Sequence, residues 1–371
     1  MNIKLSIYTA LVLSLGWACN NPKQEQKEEA EAKEVEQEEI SKVTPDVTTE
    51  LVKHDTDDPA IWINPENPEE SLIVGTDKGG DDGDGALFVF NLEGKILRDK
   101  TIENIARPNN VDIAYGLKLN GKATDIAVCT ERYTNSLRIF SLPEMKPVDN
   151  GGIEIFKGEK LRGPMGISMY TDPATGNIYA IAGRKDGPKD GTYLWQYLLE
   201  DDGNGNVKGT LVRKFGSYAG REIEAIAVDS EKGYVYYSDE GVGVKKYYAH
   251  PDSSNVELAL FGNGDLFTED NEGISIYKHD DGTGYIIVSD QAANIFHFFT
   301  REGSEGNPHE HKLVKSLYAS TLESDGNEVT NVAIGDKYPE GFFVAMSDDK
   351  TFQIYDWRKV KPEEDKATAQ K

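Results

Sequence analysis

Cysteine is nearly absent from this chain: Cys19 and Cys129 are the two in 371 residues. That excludes a disulfide scaffold and a cysteine-rich zinc protein. No apolar run is long enough to span a bilayer. The segment Arg-His-Gly, which would mark a histidine phosphatase, does not occur. Positive charge is scarce, with 40 Lys+Arg against 65 Asp+Glu and a formal net charge of −25. So acidic a chain disfavours a phosphate-coated partner such as nucleic acid, unless something positive stands between them.

What is there begins with an export signal. Lys4 precedes an apolar stretch from Leu5 to Trp17, and Ala18-Cys19 follows. A small residue before Cys resembles a bacterial lipoprotein signal. The resemblance implies a lipid on Cys19, as the sole membrane attachment, and a place in the cell envelope facing the periplasm or the cell surface. An ordinary secretory signal cleaved nearby, or a short anchor, is the alternative. Residues 1–19 are thus expected to be signal and residues 20–44 an acidic, solvated tether. From Cys19 to Glu50 there are 10 acidic and 4 basic residues and almost nothing apolar to bury. Residues 51–371 keep a net charge of −20, so the acidity belongs to the folded part.

Residues 45–358 repeat a pattern about every 50 to 58 residues, and 359–371 form a charged tail. An apolar strand opens each unit, as in Pro59–Ile63, Asn110–Tyr115, Pro164–Tyr170, Glu222–Val228, Glu272–Tyr277 and Val329–Ile334. A second strand ends on a polar residue: Asp77, Glu131, Arg184, Asp239, Asp290 or Asp348. A third, more aromatic strand follows, and a weak fourth such as Gly94–Ile102, Val207–Phe215 or Lys312–Leu317 completes most units. Helical periodicity is missing, and Gly, Asn and Asp separate the strands. This predicts an all-β, six-bladed β-propeller with four-stranded antiparallel blades. The last unit lacks an outer strand, which Val43–Val52 can supply. The N-terminal strand would then close the ring on the last blade and remove two open sheet edges.

Propeller geometry brings the ends of inner strands to one channel mouth. The polar residues there are mostly acids: Asp57, Asp58, Asp112, Glu224, Asp239, Glu240, Asp270, Glu272 and Asp325, with Asn110 and Gln291. A ring of carboxylates repels itself unless hard cations neutralise it, and carboxylate with amide oxygens suits several Ca²⁺ ions far better than Zn²⁺. Such residues also occur in turns that bond their own backbone. Lys78, Arg132, Arg184 and Lys185 follow the second strands of three successive units. Cations beside a calcium cluster make a site for a multiply charged anion, and Arg suits phosphate by its forked donors.

Asp57-Asp-Pro-Ala-Ile-Trp62, Pro108-Asn-Asn-Val-Asp112, Asn271-Glu-Gly-Ile274 and Ser324-Asp-Gly326 resemble the motifs of the β-propeller phytases. The resemblance covers most of residues 45–358 in the same blade order. It implies a calcium-dependent phosphomonoester hydrolase, expected as a monomer, releasing phosphate from phytate (myo-inositol hexakisphosphate) or a related inositol phosphate. Asp58, Asn110, Glu224, Asp239, Asp270, Glu272, Gln291 and Asp325 would then lie at calcium sites. Lys78, Arg132 and Lys185 would bind phosphate, with direct attack of calcium-bound water on phosphorus. Glu224, Asp239, Arg132 and Lys78 are the residues expected to carry catalysis.

Three departures bear on this. Met165 stands where the family has a phosphate-contacting Tyr. Ala319 stands where it has an Asp, with Glu323 nearby as a substitute. Gly79–Gly85 is inserted after Lys78. A non-catalytic binding module of the same fold, or a calcium-dependent propeller lactonase or esterase, are the competing readings. Asp201–Asn206 and Asp280–Gly284 read as hairpin turns rather than calcium loops, because no flanking helices or terminal Glu accompany them.

Overall fold

The computed structural model describes residues 42–80, 82–363 and 365. The expected signal (1–19) and most of the expected tether (20–44) lie outside them. The described residues form six antiparallel sheets, one per sequence repeat. The inner strands are Thr56–Trp62, Pro108–Leu119, Pro164–Thr171, Ile226–Asp229, Asn271–Lys278 and Asn327–Thr330. Those of blades four and six are shorter than the sequence pattern suggests, because Glu222–Ala225 and Asn331–Ile334 leave the ladder. The helix Trp357–Val360 is one turn, with Trp357 and Val360 buried.

The ring closes as expected. Val47–Thr48 pairs antiparallel with Thr351–Asp356, the third strand of blade six, and is its fourth strand. The Asp46 and Thr49 amides extend that ladder to the Ile354 and Phe352 carbonyls. Val43 reaches further and bonds the backbone of Tyr318 and Ser320, at the outer edge of blade five. One short segment therefore ties down two blades and leaves no open edge at the seam.

Six apolar clusters lie between neighbouring blades, one at each interface. Ile126, Val128 and Ile139 of blade two meet Ile167, Ala180 and Trp195 of blade three. The seam between blades one and six is as well filled, by Ile73, Phe90, Val344, Phe352 and Ile354. Strand alternation explains this: each blade turns one set of side chains to each neighbour. Removing roughly 25 cal/mol per Å² of apolar surface from water at every interface makes the ring one cooperative unit.

Two repeating features position the site. First, four inner strands start with a break in register: between Thr56 and Pro59, Pro108 and Val111, Pro164 and Ile167, and Asn271 and Ile274. Bulges of this kind re-aim side chains. They hold Asp57-Asp58, Asn109-Asn110, Met165-Gly166 and Glu272-Gly273. Gly166 has no alternative: a Cβ there would lie 1.9 Å from the Glu224 carbonyl oxygen. Second, the residue after each second strand donates its amide to the loop entering the inner strand. Lys78, Arg132, Lys185, Glu240, Gln291 and Asp348 bond the carbonyls of Asp55, Arg107, Gly163, Glu222, Asp270 and Leu322.

Candidate active site

The side chains displayed by these two features meet at one mouth. Lys78 Nζ lies 2.9 Å from Asp325 Oδ2, 3.4 Å from Asp55 Oδ2 and 3.6 Å from Asp57 Oδ1. Asn109 Nδ2 donates to Asp57 Oδ2 at 2.8 Å and to Glu224 Oε1 at 3.4 Å. Gln291 Nε2 donates to Asp325 Oδ1 at 2.6 Å and to Glu272 Oε2 at 3.3 Å. Blades one, two, four, five and six are thereby linked at the mouth. Blade three contributes no acid. Its Met165 Sδ touches Arg132 Nη2.

Two carboxylate groups stand out. Oxygens of Glu222, Glu224 and Glu240 lie within 4.8 Å of one another, as do oxygens of Glu240, Asp270 and Glu272. Glu240 is common to both. Burial pushes Glu224 up to about 8, assisted by Asp325. Burial, then Glu222 and Asp270, push Glu240 up to about 8. Burial, then Asp325 and Glu224, push Glu272 up to about 12. Burial also raises Asp57 well above the carboxylate range, against the pull of Lys78. Burial alone would lower Lys78, but Asp57, Asp325, Glu224 and Asp55 outweigh it and hold its ammonium charged. Without another cation this many acids cannot all ionise.

The donors fit a hard divalent cation. They are oxygen atoms throughout, from carboxylates and amides, as Ca²⁺ prefers and Zn²⁺ does not. Several have no hydrogen-bond partner although buried: Asp57 Oδ1, Asn109 Oδ1 and Glu240 Oε1. Buried acceptors left unsatisfied are costly, and a bound cation would satisfy them.

Asp58, Asn110 and Asp112 lie elsewhere. With Glu328 and Lys278 they line the central channel, a cavity of about 360 Å³. Asp58 Oδ2 accepts from the Val111 amide, and Asp112 Oδ2 from Ser168 Oγ and the Met169 amide. Burial pushes Glu328 up to about 8, with Asp112 adding to it.

Two of the expected site residues have their polar atoms engaged in the fold. Asp239 was expected to be a calcium ligand and catalytic. It is buried, and it accepts from the Ala219 and Gly220 amides and pairs with buried Lys245 at 2.7 Å. Arg184 was expected to bind phosphate. Its guanidinium is buried, donates to the carbonyls of Leu161, Thr192 and Tyr193, and stacks over Phe156 at 4.5 Å. Both end a second strand, and every residue at that position holds the loop entering an inner strand. Asp77 takes the Lys53, His54 and Asp55 amides, and Glu131 takes the Ala106 amide. Asp290 takes the Thr268 amide, and Ser347 takes the Leu322 amide. In blades one to five the next residue along, on the opposite face of the strand, reaches the mouth.

Lys185 and Arg132 keep exposed or half-buried heads there. Lys185 Nζ pairs with Glu222 at 2.9 Å and 3.0 Å. Gly163 lies between their stems, where a Cβ would meet Arg132 Cγ at 3.8 Å and Lys185 Cβ at 3.9 Å. Arg221, absent from the sequence expectations, pairs with Asp270 across the same mouth. No motif surrounds it; only its place before Glu222 marks it. The insertion Gly79–Gly85 leaves Lys78 among its acids. Ala319 is buried in the interface between blades five and six, and Glu323 is exposed beside it in sequence. Asp201 and Asp202 bond the amides of their own hairpin, as expected of turns.

A family model described as Phytase matches residues 2–359. A curated 3-phytase of Bacillus subtilis (strain 168) is 29% identical over 321 residues, covering 82% of this chain and 80% of the relative. Solved structures similar to this one include the Dos1 propeller, at 11% identity and a TM-score of 0.41 over 81% of this chain and 67% of that one. The WD40 β-propeller domain of Doa1 matches at 12% identity and a TM-score of 0.46, over 80% of this chain and 77% of that one. With nearly its full length matched by that one family model, the chain belongs to the phytase family.

Proposed function

We propose that this protein hydrolyses phytate or a related inositol phosphate in a calcium-dependent reaction. The observation that carries the proposal is the pair of interlocked carboxylate groups sharing Glu240, ringed by Lys78, Arg132 and Lys185. Glu222, Glu224, Glu240, Asp270 and Glu272 would hold the cations. Bound calcium would neutralise phosphate oxygens and acidify the attacking water. The chain's own residues do the rest. Arg132 and Lys185 meet the phosphoryl oxygens, whose charge is spread in the transition state. Asn109 fixes Asp57 and Glu224, and Gln291 fixes Asp325 and Glu272, so that the acids keep their spacing. Lys78 sets the charge balance of Asp57 and Asp325.

The acidity of the chain then acquires a use. Free of metal, the mouth repels a polyanion; loaded, it attracts one. The test is phosphate release by the purified protein from phytate, titrated with Ca²⁺, with an unrelated phosphomonoester alongside. Release that rises with Ca²⁺ and stops with chelator is expected. No release at any Ca²⁺ level would leave the binding-module reading instead. The same proposal anchors the protein in the cell envelope through a lipid on Cys19. Labelled palmitate should enter the wild-type chain and not Cys19→Ala.

A further inference from the structure

We propose that Arg221 serves two partners in turn: Asp270 while the carboxylates lack their cation, and a substrate phosphate once the cation has taken Asp270. The proposal rests on the calcium reading above and adds a specificity-determining residue to it.

Arg221 Nη2 contacts Asp270 Oδ1. Asp270 belongs to the oxygen group with Glu240 and Glu272. Arg221 therefore lies on one of the atoms that a bound cation would need. The two partners differ in freedom. The Arg221 side chain is 55% exposed, against 18% for Asp270. The Arg221 backbone is held on both sides: its amide donates to the Glu240 carbonyl at 3.2 Å, and its carbonyl accepts from Tyr218 Oη. The guanidinium is not. Gly241 faces it, and even a Cβ at that position would lie 3.7 Å from Nε. The acid is mostly buried, the Arg221 backbone is held, and the exposed charged head can swing.

The next residue repeats the arrangement. Glu222 belongs to the other oxygen group, and the exposed head of Lys185 lies on it. Each group thus carries one rim cation as a stand-in for metal. Exposed ion pairs are weak, so a divalent ion held by several carboxylates displaces them. Displacement does not send Arg221 away. Its forked donors stay beside the mouth, where they match phosphate or sulfate oxygens. A substrate with several phosphates can use this extra contact together with Lys185 and Arg132. A monoester with one phosphate cannot engage all three.

Calorimetry on the full chain separates the two roles, using Ca²⁺ alone and then myo-inositol hexakissulfate at saturating Ca²⁺. Arg221→Gln should bind Ca²⁺ about two- to fivefold more tightly, the size expected from removing an exposed pair. The same variant should bind the hexakissulfate about fivefold or more weakly, and Arg221→Lys should recover part of that loss. Inositol monosulfate should bind wild type and variant alike. Opposite changes for the two ligands support the handover. Unchanged isotherms for Arg221→Gln, or weakening of both, overturn it while leaving the calcium reading intact. A wild-type chain that binds no Ca²⁺ overturns both.

Discussion

Lys78 Nζ lies 2.9 Å from Asp325 Oδ2 and so ties the first blade to the sixth across the mouth. Asp57 stands on its other side. This ammonium is the nearest positive charge to a group of buried acids, and Asp57, Asp325, Glu224 and Asp55 hold its pKa above the ordinary lysine value. A raised lysine pKa contributes stability below the unfolded value, near 10.4, and loses it only at still higher pH. The contribution is therefore complete across the neutral range.

Lys78→Met should cost the metal-free protein about 3–5 kcal/mol, because a buried acid pair loses its counter-charge. Added Ca²⁺ should restore more of the melting temperature in this variant than in wild type, since a cation would again balance Asp57 and Asp325. Melting curves with chelator and with Ca²⁺ measure both. Equal gains in the two proteins would show that Lys78 and calcium do not share these acids.

The raised carboxylates set a pH dependence of definite sign. Glu224, Glu240 and Glu328 stand near 8 and Glu272 near 12, against about 4.3 in an unfolded chain. Between these limits the native state binds more protons than the unfolded state, so stability falls as pH rises. The chelated protein should melt at least about 5 °C higher at pH 5 than at pH 8. Calcium requires the ionised forms, so loading at pH 7 should release protons. Calorimetry in buffers of different ionisation enthalpy reads that release. Proton uptake, or none, would show that these acids are not the ligands.

Asp239 and Glu240 are neighbours with opposite assignments, which makes them a sharp comparison. Asp239→Ala would take from buried Lys245 its closest carboxylate and free the Ala219–Gly220 loop, at a cost of about 3–5 kcal/mol. Glu240→Gln removes a repelled carboxylate and should leave the chelated protein as stable as wild type or more so. Its Ca²⁺ affinity should fall about tenfold or more, because Glu240 belongs to both oxygen groups. Denaturant unfolding in chelator and a calcium titration distinguish them. Asp239→Ala that unfolds like wild type would remove the loop-holding role.

Such pairs also mark where the sequence stopped being informative. The six-fold period, the four-strand units and the closing segment at Val43–Val52 are legible because strands announce themselves by alternation and by Gly and Asn turns. The acids were legible as a set. Which of two adjacent polar residues faces the mouth was not: Arg184 and Lys185, like Asp239 and Glu240, differ by one step, and one step turns a side chain to the other face. The bulges that re-aim Asp57 and Asn109 likewise follow from sheet register, which only the folded ladder displays. Arg221 carries no local pattern. Its role arises from Asp270, 49 residues later in the sequence.

Among the cations at the mouth, Arg132 is the one whose donors have least to hold. Its Nη2 meets the Met165 sulfur, a weak acceptor, and its buried Nε has no hydrogen-bond partner. Burial lowers its pKa, with Glu224 and Asp57 acting against that shift. A guanidinium kept charged yet poorly satisfied is ready for a phosphate. Arg132→Ala should lower kcat on phytate about 10²–10³-fold, as loss of one transition-state donor does elsewhere. Its melting temperature in chelator should stay within a few degrees of wild type, because no strong bond is broken. Arg132→Lys should recover only part of the rate, since a point charge cannot reproduce the fork. A large fall in melting temperature alongside the lost rate would assign Arg132 to the fold instead. Full recovery by lysine would show that charge, and not geometry, is what the phosphate meets at this position.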